Sequence, residues 1–463
     1  MNGVLIGVTI YVLMQLAIGL YVSRRMRNET DYFLAGRSLG LGVASMSVFA
    51  TWFGSETCIG SSGAVYAEGL SGSRADPFGY TLCLILMGLF FAVPLYRRQL
   101  TTLGDLFRQR YGSTVEKIAV LVIVPSSLLW AGAQIRAFGQ VISASSTIPP
   151  AFSIAVAAVV VIIYTMSGGL LADAVTDVVQ GAVLILGLVI VFVAAIAALG
   201  GVGGAVSSIE PARLSIIGHE GSLLEQMDGW AVPIFGSVLA QELISRTLAT
   251  RSESIARNAA LAGAGIYFVI GSIPVMIGLI GPALVPALDE PEHLLPTVAM
   301  QLLHPVLYVV FAGALISAIL STVDSALLAA SALVSHNVVV PMMPRLTEQH
   351  KVRVARIFVA VFGVLAYFFA IREGSVYEQV EEASAFGSAG ILVVGVFALF
   401  SKVGGVWAAG ASLIIGSLAY LIASYQLELA SPYLVAIAAA LLVYCVLAPF
   451  GPRTEMSPAA EQA

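Results

Sequence analysis

Oxygen-bearing side chains inside an apolar stretch are the feature of this sequence most able to do chemistry. The stretch 294–338 contains Ser321, Thr322, Asp324 and Ser325, and helical spacing places Ser321 and Ser325 on one face. Hydroxyls together with backbone carbonyls form an all-oxygen shell, which hard cations such as sodium prefer. The alternative is that these hydroxyls bond only to carbonyls of their own helix. Asp324 favours an ion site, because an acid in a membrane segment is costly and usually faces a partner or a pathway.

A second polar segment lies within the apolar stretch 38–69. Its small residues, among them Gly54, Ser55, Gly60 and Ser61, make a weakly helical middle. Broken backbone inside a bilayer is tolerated only where it lines a cavity or binds an ion. We therefore expect an interrupted helix here, with close helix packing through small residues as the alternative.

Several ionisable residues also lie within apolar stretches, and each is a candidate functional residue. They are Glu56, Arg136, Asp173, Asp177 and Glu242. Structural explanations exist for some of them: Glu56 and Arg136 would neutralise each other, and Asp173 would cap a helix beside a Gly-Gly pair. The acidic pair in the segment VEEAS is interpreted as part of a solvated outer vestibule.

The composition requires a lipid bilayer. Of 463 residues, 59% are hydrophobic and 11% are charged, whereas a soluble domain has roughly a quarter of its residues charged. The net charge of -5, with no basic stripe, excludes nucleic acid as a partner. The chain has neither an HExxH nor a GxSxG motif, so we expect no enzyme, and we expect no obligate protein partner.

Thirteen apolar runs reach the length of a membrane helix, about 20 residues. They lie at about 4–23, 38–69, 77–96, 117–145, 150–172, 175–199, 228–249, 257–286, 294–338, 352–371, 377–400, 404–424 and 431–450. The sequence therefore predicts an all-α polytopic membrane protein of about 13 transmembrane helices. They form a single transmembrane domain, 1–451, and a cytoplasmic tail follows at 452–463.

The distribution of basic residues predicts the orientation, because Lys and Arg near helix ends resist translocation and stay cytoplasmic. Most of the 22 Lys and Arg residues fall on one side when successive loops are assigned to alternate sides of the membrane. We predict a multi-pass protein of the plasma (inner) membrane with its N terminus outside and its C terminus in the cytoplasm.

Five segments carry a resemblance to a known family. They read DYFLAGRSLG (31–40), SSGAVYAEGL (61–70), YTMSGGLLADAVTDVVQ (164–180), AQELISRTLATRS (240–252) and SAILSTVDSALLAASA (317–332). In their order and spacing the chain resembles the sodium/solute symporter family, which includes proline, sialic acid, sugar and choline carriers. The resemblance implies a leucine-transporter-like fold with an inverted five-plus-five helix repeat as a ten-helix core at 38–400. Peripheral helices would lie at 4–23 and 404–450.

The resemblance also implies function: import of a small organic solute, coupled to sodium, by alternating access. The Na⁺ ion would bind where the broken second run meets the ninth run. Its ligands would be the backbone carbonyls of Ala50, Phe53 and Ala318 and the hydroxyls of Ser321 and Thr322. Five neutral oxygens make a site of modest affinity, as a symporter needs if the ion is to leave inside.

A second cation site, or a proton site, is implied nearby. Asp177, Ser321 and Ser325 match residues that hold a further sodium in some family members, and Asp324 lies in the same neighbourhood. Two close carboxylates either hold a cation strongly or place a proton on one of them, because like charges repel. Proton coupling in place of sodium coupling is therefore an alternative.

For the solute, the chain locally resembles the choline carriers of this family through the segments ATW and PFGYTL and the region of Trp130. Trp52, Tyr80 and Trp130 match positions of an aromatic cage that holds a quaternary ammonium by cation–π attraction. The fourth cage position is Ala240 here. Ordinary packing or interfacial anchoring is the alternative for these aromatics. As a further possibility, Arg136 would bind a carboxylate group of the solute.

The predicted substrate-binding residues are Trp52, Glu56, Tyr80, Trp130, Arg136, Gln241 and Glu242. They favour an organic cation, a betaine or an amino-acid-like zwitterion as the solute. A sugar or organic-acid symporter is an alternative, and a membrane sensor module is a further one, which the short tail disfavours.

Overall fold

The computed structural model describes residues 3–24, 26, 28–144, 148–217, 222–372 and 374–450. Within these ranges the chain is almost entirely helical, as predicted, and its one extended pairing is a bridge between Leu39 and Thr250. The predicted tail at 452–463 lies outside the described residues.

The α-helical segments of the described ranges follow one another along the whole chain. They are α1 (Gly3–Ser23), α2 (Glu29–Leu34), α3 (Leu41–Trp52), α4 (Ser61–Glu68), α5 (Tyr80–Leu86), α6 (Ala92–Arg97), α7 (Leu103–Tyr111), α8 (Ser113–Ala144), α9 (Pro150–Ala198), α10 (Val202–Ser207), α11 (Leu223–Ala231), α12 (Gln241–Leu248), α13 (Glu253–Leu284), α14 (Leu294–Leu302), α15 (Pro305–Val334), α16 (Val340–Met342), α17 (Glu348–Ala370), α18 (Val376–Ala385), α19 (Ser388–Phe400), α20 (Val406–Leu421) and α21 (Pro432–Leu447). Wider π-helical turns extend or join several of them, at Glu56–Gly60, Arg74–Gly79, Met87–Phe91, Val232–Gly236, Ser335–Val339 and Ile422–Gln426.

Seven helical stretches of the described residues are long and apolar enough to cross a membrane, and an eighth joins them if α18 and α19, bent by 40°, form one span. One of these stretches, Glu56–Arg97, includes parts of the predicted runs 38–69 and 77–96. The helix α9 likewise includes the predicted run 150–172 and most of the run 175–199. Other predicted crossings, such as those containing α3 and α21, hold shorter apolar helices. Helix length alone therefore does not confirm about 13 crossings, and that total stays a prediction.

The second run is interrupted in the structure. α3 ends at Trp52, and the next residue, Phe53, has φ -90° and ψ 75°, outside the helical region. The helix resumes with the π-helical turn Glu56–Gly60 and α4. A second interruption separates Val232–Gly236 from α12 in the seventh run. At each break, backbone N–H and C=O groups lose their helical hydrogen bonds, and side chains or a ligand must provide new partners for them.

Two predicted runs are joined within α9 by a bend at Gly169. Its φ of 63° lies in the left-handed region that glycine adopts readily, and a Cβ there would collide with Met26 and Tyr32. A straight helix of this length would be more than twice as long as the roughly 30 Å hydrocarbon core is thick. The bend therefore separates two membrane segments, and the second carries Asp173 and Asp177.

The helix α15 is the central element of the bundle. Every residue from Phe311 to Leu333 is buried, and the helix packs against α3, α8, α9 and α17. A helix that is buried on all sides exposes none of its polar groups to water. The hydroxyls and the carboxyl of α15 therefore depend on partners from neighbouring helices or from a ligand.

Candidate ion and substrate sites

The end of α3 and the middle of α15 meet at the interruption. Thr322 Oγ1 donates to the carbonyl oxygen of Thr51, in the last turn of α3, at 3.0 Å. A continuous helix would direct the Ser55 N–H to that carbonyl, but it donates instead to Gln134 Oε1 at 3.0 Å. The end of α3 thus faces α15 with carbonyl oxygens. The helix dipole makes this C-terminal end partly negative, which favours a cation.

The five predicted sodium ligands are all buried on these two elements. Ala50 lies in the last turn of α3, Phe53 directly follows it, and Ala318, Ser321 and Thr322 lie on α15. Carbonyl and hydroxyl oxygens are hard, neutral ligands, which suit an alkali cation better than a transition metal. The predicted ligand set is therefore spread over two helices in contact, and the structure brings the two segments together.

Asp177 lies beside this junction, fully buried on α9. Its Oδ1 accepts a hydrogen bond from Ser321 Oγ at 2.5 Å, and its Oδ2 accepts one from Ser47 Oγ at 2.5 Å. Ser325, one turn along α15, donates to the carbonyl oxygen of Ser321 at 2.6 Å. Three of the four residues predicted for a second cation or proton site therefore form one connected group.

The fourth residue, Asp324, is turned toward a different part of α9. It is 1% exposed, and its carboxyl lies beside Thr165 and the Asp173 carboxyl. Its Oδ1 has no hydrogen-bond partner. Two carboxylates in such proximity repel each other unless a cation or a proton lies between them.

A guanidinium completes this cluster, and the sequence did not indicate it. Arg246 on α12 is 1% exposed and donates hydrogen bonds to Asp173 and to Ser325 Oγ. Its Nη2 also lies 3.9 Å from Asp177 Oδ2. The interpretation of Asp173 as a helix cap was wrong, since its carboxylate is ion-paired across helices. Arg246 is instead buried between α9, α12 and α15.

The predicted aromatic residues fall into two places. Trp52 and Trp130 are both buried, and their rings pack edge to face with centroids 5.5 Å apart. The Tyr80 hydroxyl lies 2.9 Å from Ser384 Oγ, on α18. Trp130 and Ser384 line a cavity of about 30 Å³, which has room for a water molecule. Ser384 therefore connects the two places, since it lines the cavity with Trp130 and contacts Tyr80.

The predicted substrate residues on α12 differ in their partners. Glu242 lines the same cavity as Trp130, and its Oε1 accepts a hydrogen bond from Ser127 Oγ at 2.7 Å. Gln241 Oε1 accepts from the Leu103 N–H at 2.7 Å and therefore anchors the first turn of α7. Gln241 is thus engaged in holding two helices together.

Glu56 and Arg136 do not form a pair. The Glu56 carboxylate accepts a hydrogen bond from Gln134 Nε2 at 2.6 Å, so it lies next to the interruption of the second run. Arg136 Nη1 donates to the carbonyls of Ala370 and Arg372, at the C-terminal end of α17. This is the usual role of a cation at a helix C terminus. The structure therefore keeps Arg136 apart from the other predicted substrate residues.

Two further buried residues belong to this region, and sequence reasoning missed them. Gln134 bridges Ser55 and Glu56, and Asp76 accepts hydrogen bonds from Thr57 and Tyr267. Gln134 is uncharged and lies within an apolar run, and Asp76 stands in an apparent loop before Pro77. A search limited to charged residues inside apolar runs finds neither of them.

The sequence of this chain matches a known protein family over most of its length. The family model described as "Sodium:solute symporter family" matches residues 32–448. This chain belongs to the sodium:solute symporter family. The predicted family is therefore confirmed, and with it the class of protein, a membrane transporter and not an enzyme.

Named relatives in the sodium:solute symporter family carry different solutes. The chain is 28% identical to the human high affinity choline transporter 1, covering 81% of this chain and 68% of the relative. It is 26% identical to the osmoregulated proline transporter OpuE of Bacillus subtilis, covering 90% and 88% of the two chains. Against the Drosophila melanogaster choline transporter the identity is 27%, and the match spans 62% of that relative's length.

Solved structures confirm the leucine-transporter-like fold. A substrate-bound, outward-open Na⁺-coupled sialic acid symporter superposes with a TM-score of 0.86 at 20% identity, covering 98% of this chain and 99% of the other. Mhp1, a nucleobase-cation-symport-1 family transporter, gives 0.62 at 17% identity, covering 93% and 96%. At these identities the likeness extends to the fold alone.

Proposed function

We propose that this protein imports a small organic solute by symport with sodium. The observation that carries the proposal is the hydrogen bond from Thr322 Oγ1 to the carbonyl oxygen of Thr51, which joins the interrupted α3 to α15 through oxygen atoms. A cation bound there would hold the two helices together, and its release would let them separate. The human choline transporter and OpuE are named for solute transport, which agrees with this proposal.

The proposed sodium ligands are the carbonyls of Ala50, Phe53 and Ala318 and the hydroxyls of Ser321 and Thr322. Their burial and their neutral oxygens support a modest-affinity alkali cation site. In alternating access the ion would bind from outside and leave toward the cytoplasm past Asp177. This direction assumes the orientation with the N terminus outside, in the plasma (inner) membrane.

For the second cation site we propose that Arg246 already supplies the positive charge. Its guanidinium contacts Ser325 and lies 3.9 Å from Asp177, two of the residues predicted to hold a second ion. A sodium ion beside this guanidinium would experience repulsion at short range in a medium of low dielectric constant. We therefore propose that one sodium ion is bound per transport cycle.

The proposed solute site is the group of Trp52, Glu56, Tyr80 and Trp130 around the α3 interruption. Two aromatic rings in contact and a buried carboxylate suit a positively charged solute. Choline, proline and pantothenate transporters among the relatives agree with a small organic solute. Glu242 would contribute from the far side of the cavity that Trp130 also lines.

A proton-coupled carrier is the second candidate, because Asp324 has an unpartnered oxygen beside the Asp173 carboxyl. The test is uptake into proteoliposomes of a panel of labelled amines, amino acids and betaines, under a sodium gradient or a pH gradient of the same size. Sodium-driven accumulation at equal pH on both sides supports the proposal. Accumulation driven by the pH gradient in the absence of sodium contradicts it.

A further inference from the structure

Two buried carboxylates beside the α3 interruption have oxygen atoms without partners. Glu56 is 1% exposed and Asp76 is 0% exposed, and neither Glu56 Oε1 nor Asp76 Oδ2 accepts a hydrogen bond. Their other oxygens are occupied: Gln134 donates to Glu56, and Thr57 and Tyr267 donate to Asp76. Because Thr57 directly follows Glu56 in the chain, both acids adjoin the same turn of helix.

This pair has no cationic partner in the part of the chain that the structure describes. None of the ion pairs there includes Glu56 or Asp76. Burial of a carboxylate without a counter-charge is strongly unfavourable, and two neighbouring ones repel each other. A positive group from outside the chain would remove both penalties.

An aromatic ring lies at the same place. Trp130 is 4% exposed and lies beside the Glu56 carboxyl. An indole face next to a buried carboxylate adds cation–π attraction for a positively charged group.

An acidic cleft adjoins this place. We call it the acidic vestibule, a cavity of about 440 Å³ whose charged lining residues include Glu68, Arg74, Glu292, Glu378 and Glu381. Its wall also contains Gly60, which ends the turn begun by Glu56, and Ala75, which precedes Asp76. A cleft with an excess of negative charge concentrates cations, so it favours a positively charged solute over an anionic one.

We propose that Glu56 and Asp76 together bind the protonated amine of the transported solute, and that this amine is primary or secondary. Two unpartnered carboxylate oxygens require two N–H donors, which a primary or secondary ammonium has. A quaternary ammonium has none, so it would leave both oxygens unsatisfied. This inference rests on the proposed transport function and narrows its substrate class.

The test compares amines that differ only in N-methylation. Two series serve as probes: glycine, N-methylglycine, N,N-dimethylglycine and trimethylglycine, and ethanolamine through its N-methyl derivatives to choline. Thermal stabilisation of the purified protein in sodium gives the affinity for each compound. We expect affinity to fall about tenfold on the second methylation and again on the third, since each removes one hydrogen bond to a charged group.

Isosteric variants show whether these two acids cause the preference. Glu56→Gln and Asp76→Asn keep the side-chain volume and remove one charge each, so the affinity for primary amines should fall and the discrimination against quaternary ones should shrink. Glu253→Gln is the matched control, because Glu253 forms an exposed ion pair with Arg97. It should bind every amine as the wild type does.

Equal affinities along the methylation series would overturn the proposal, and so would tighter binding of the quaternary compounds or no binding by any compound. A preference for N–H that is as large in both variants as in the wild type would also overturn it. Stabilisation by sodium alone checks that each variant is folded. Failure of the proposed sodium coupling has a different signature, which is amine binding that is unchanged when potassium replaces sodium.

Discussion

Arg246 and Asp173 form an ion pair that is buried at the junction of α9 and α12, with side chains 1% and 0% exposed. The pair joins two helices through a charge-assisted hydrogen bond. Because the guanidinium also contacts Ser325, it fixes the position of α12 against α15. The pair therefore has two effects: it holds the bundle together, and it places a permanent positive charge beside Asp177.

Loss of one partner of this pair should destabilise the protein. Asp173→Asn leaves the Arg246 charge buried without its counter-charge, which costs about 3–5 kcal/mol in comparable buried pairs. We expect a markedly lower unfolding temperature in detergent. The double variant Asp173→Asn/Arg246→Gln should regain much of the loss in the presence of sodium, because both charges of the pair are gone and a sodium ion balances the remaining Asp177 carboxylate. A double variant less stable than Asp173→Asn would contradict this account.

Removal of the Arg246 charge should change the sodium stoichiometry. With Arg246→Gln, the carboxylates Asp173 and Asp177 would accept a second sodium ion, so binding should rise from about one to about two ions per protein. Titration of purified protein with ²²Na⁺ measures this number directly. If the wild type bound two sodium ions, the proposal that the Arg246 guanidinium occupies the second cation site would be refuted.

The aromatic pair should contribute to solute affinity if the solute is cationic. Trp130→Leu removes a ring beside Glu56, and a cation–π contact is worth about 0.5–2 kcal/mol, so affinity should fall between about twofold and thirtyfold. Trp407→Leu is the control, because Trp407 is 65% exposed on the outside of the bundle. Equal losses in the two variants would show that Trp130 acts through folding and not through solute contact.

The interruption of the second helix was predictable from sequence, because small residues such as Gly54 and Ser55 both weaken a helix and mark a place where broken backbone is useful. The same reasoning singled out Ser321 and Thr322, which the structure brings to that break. These features are local, so a single stretch of sequence contains them.

The features that sequence reasoning missed depend on tertiary contacts. Asp173 and Arg246 lie 73 residues apart, and each stands near a helix end, where a cap or a loop cation is the usual explanation. Asp76 precedes a proline between two apolar runs and becomes buried only because Thr57 and Tyr267 cover it. Hydropathy cannot identify partners on other helices.

The sodium site itself is tested by removal of single oxygen ligands. Thr322→Ala and Ser321→Ala should raise the sodium concentration needed for half-maximal binding about tenfold, since one ligand of five is lost in each. Ser331→Ala is the matched control, because Ser331 lies on the same helix but donates to the Ala355 carbonyl at 2.7 Å. It should leave sodium affinity unchanged.

The most direct measurement is therefore equilibrium binding of ²²Na⁺ to the purified wild type, Thr322→Ala and Ser331→Ala proteins. The account predicts saturable binding of about one ion to the wild type and to Ser331→Ala, and clearly weaker binding to Thr322→Ala. Absence of saturable sodium binding to the wild type, or equal affinity in all three proteins, would contradict the proposed site.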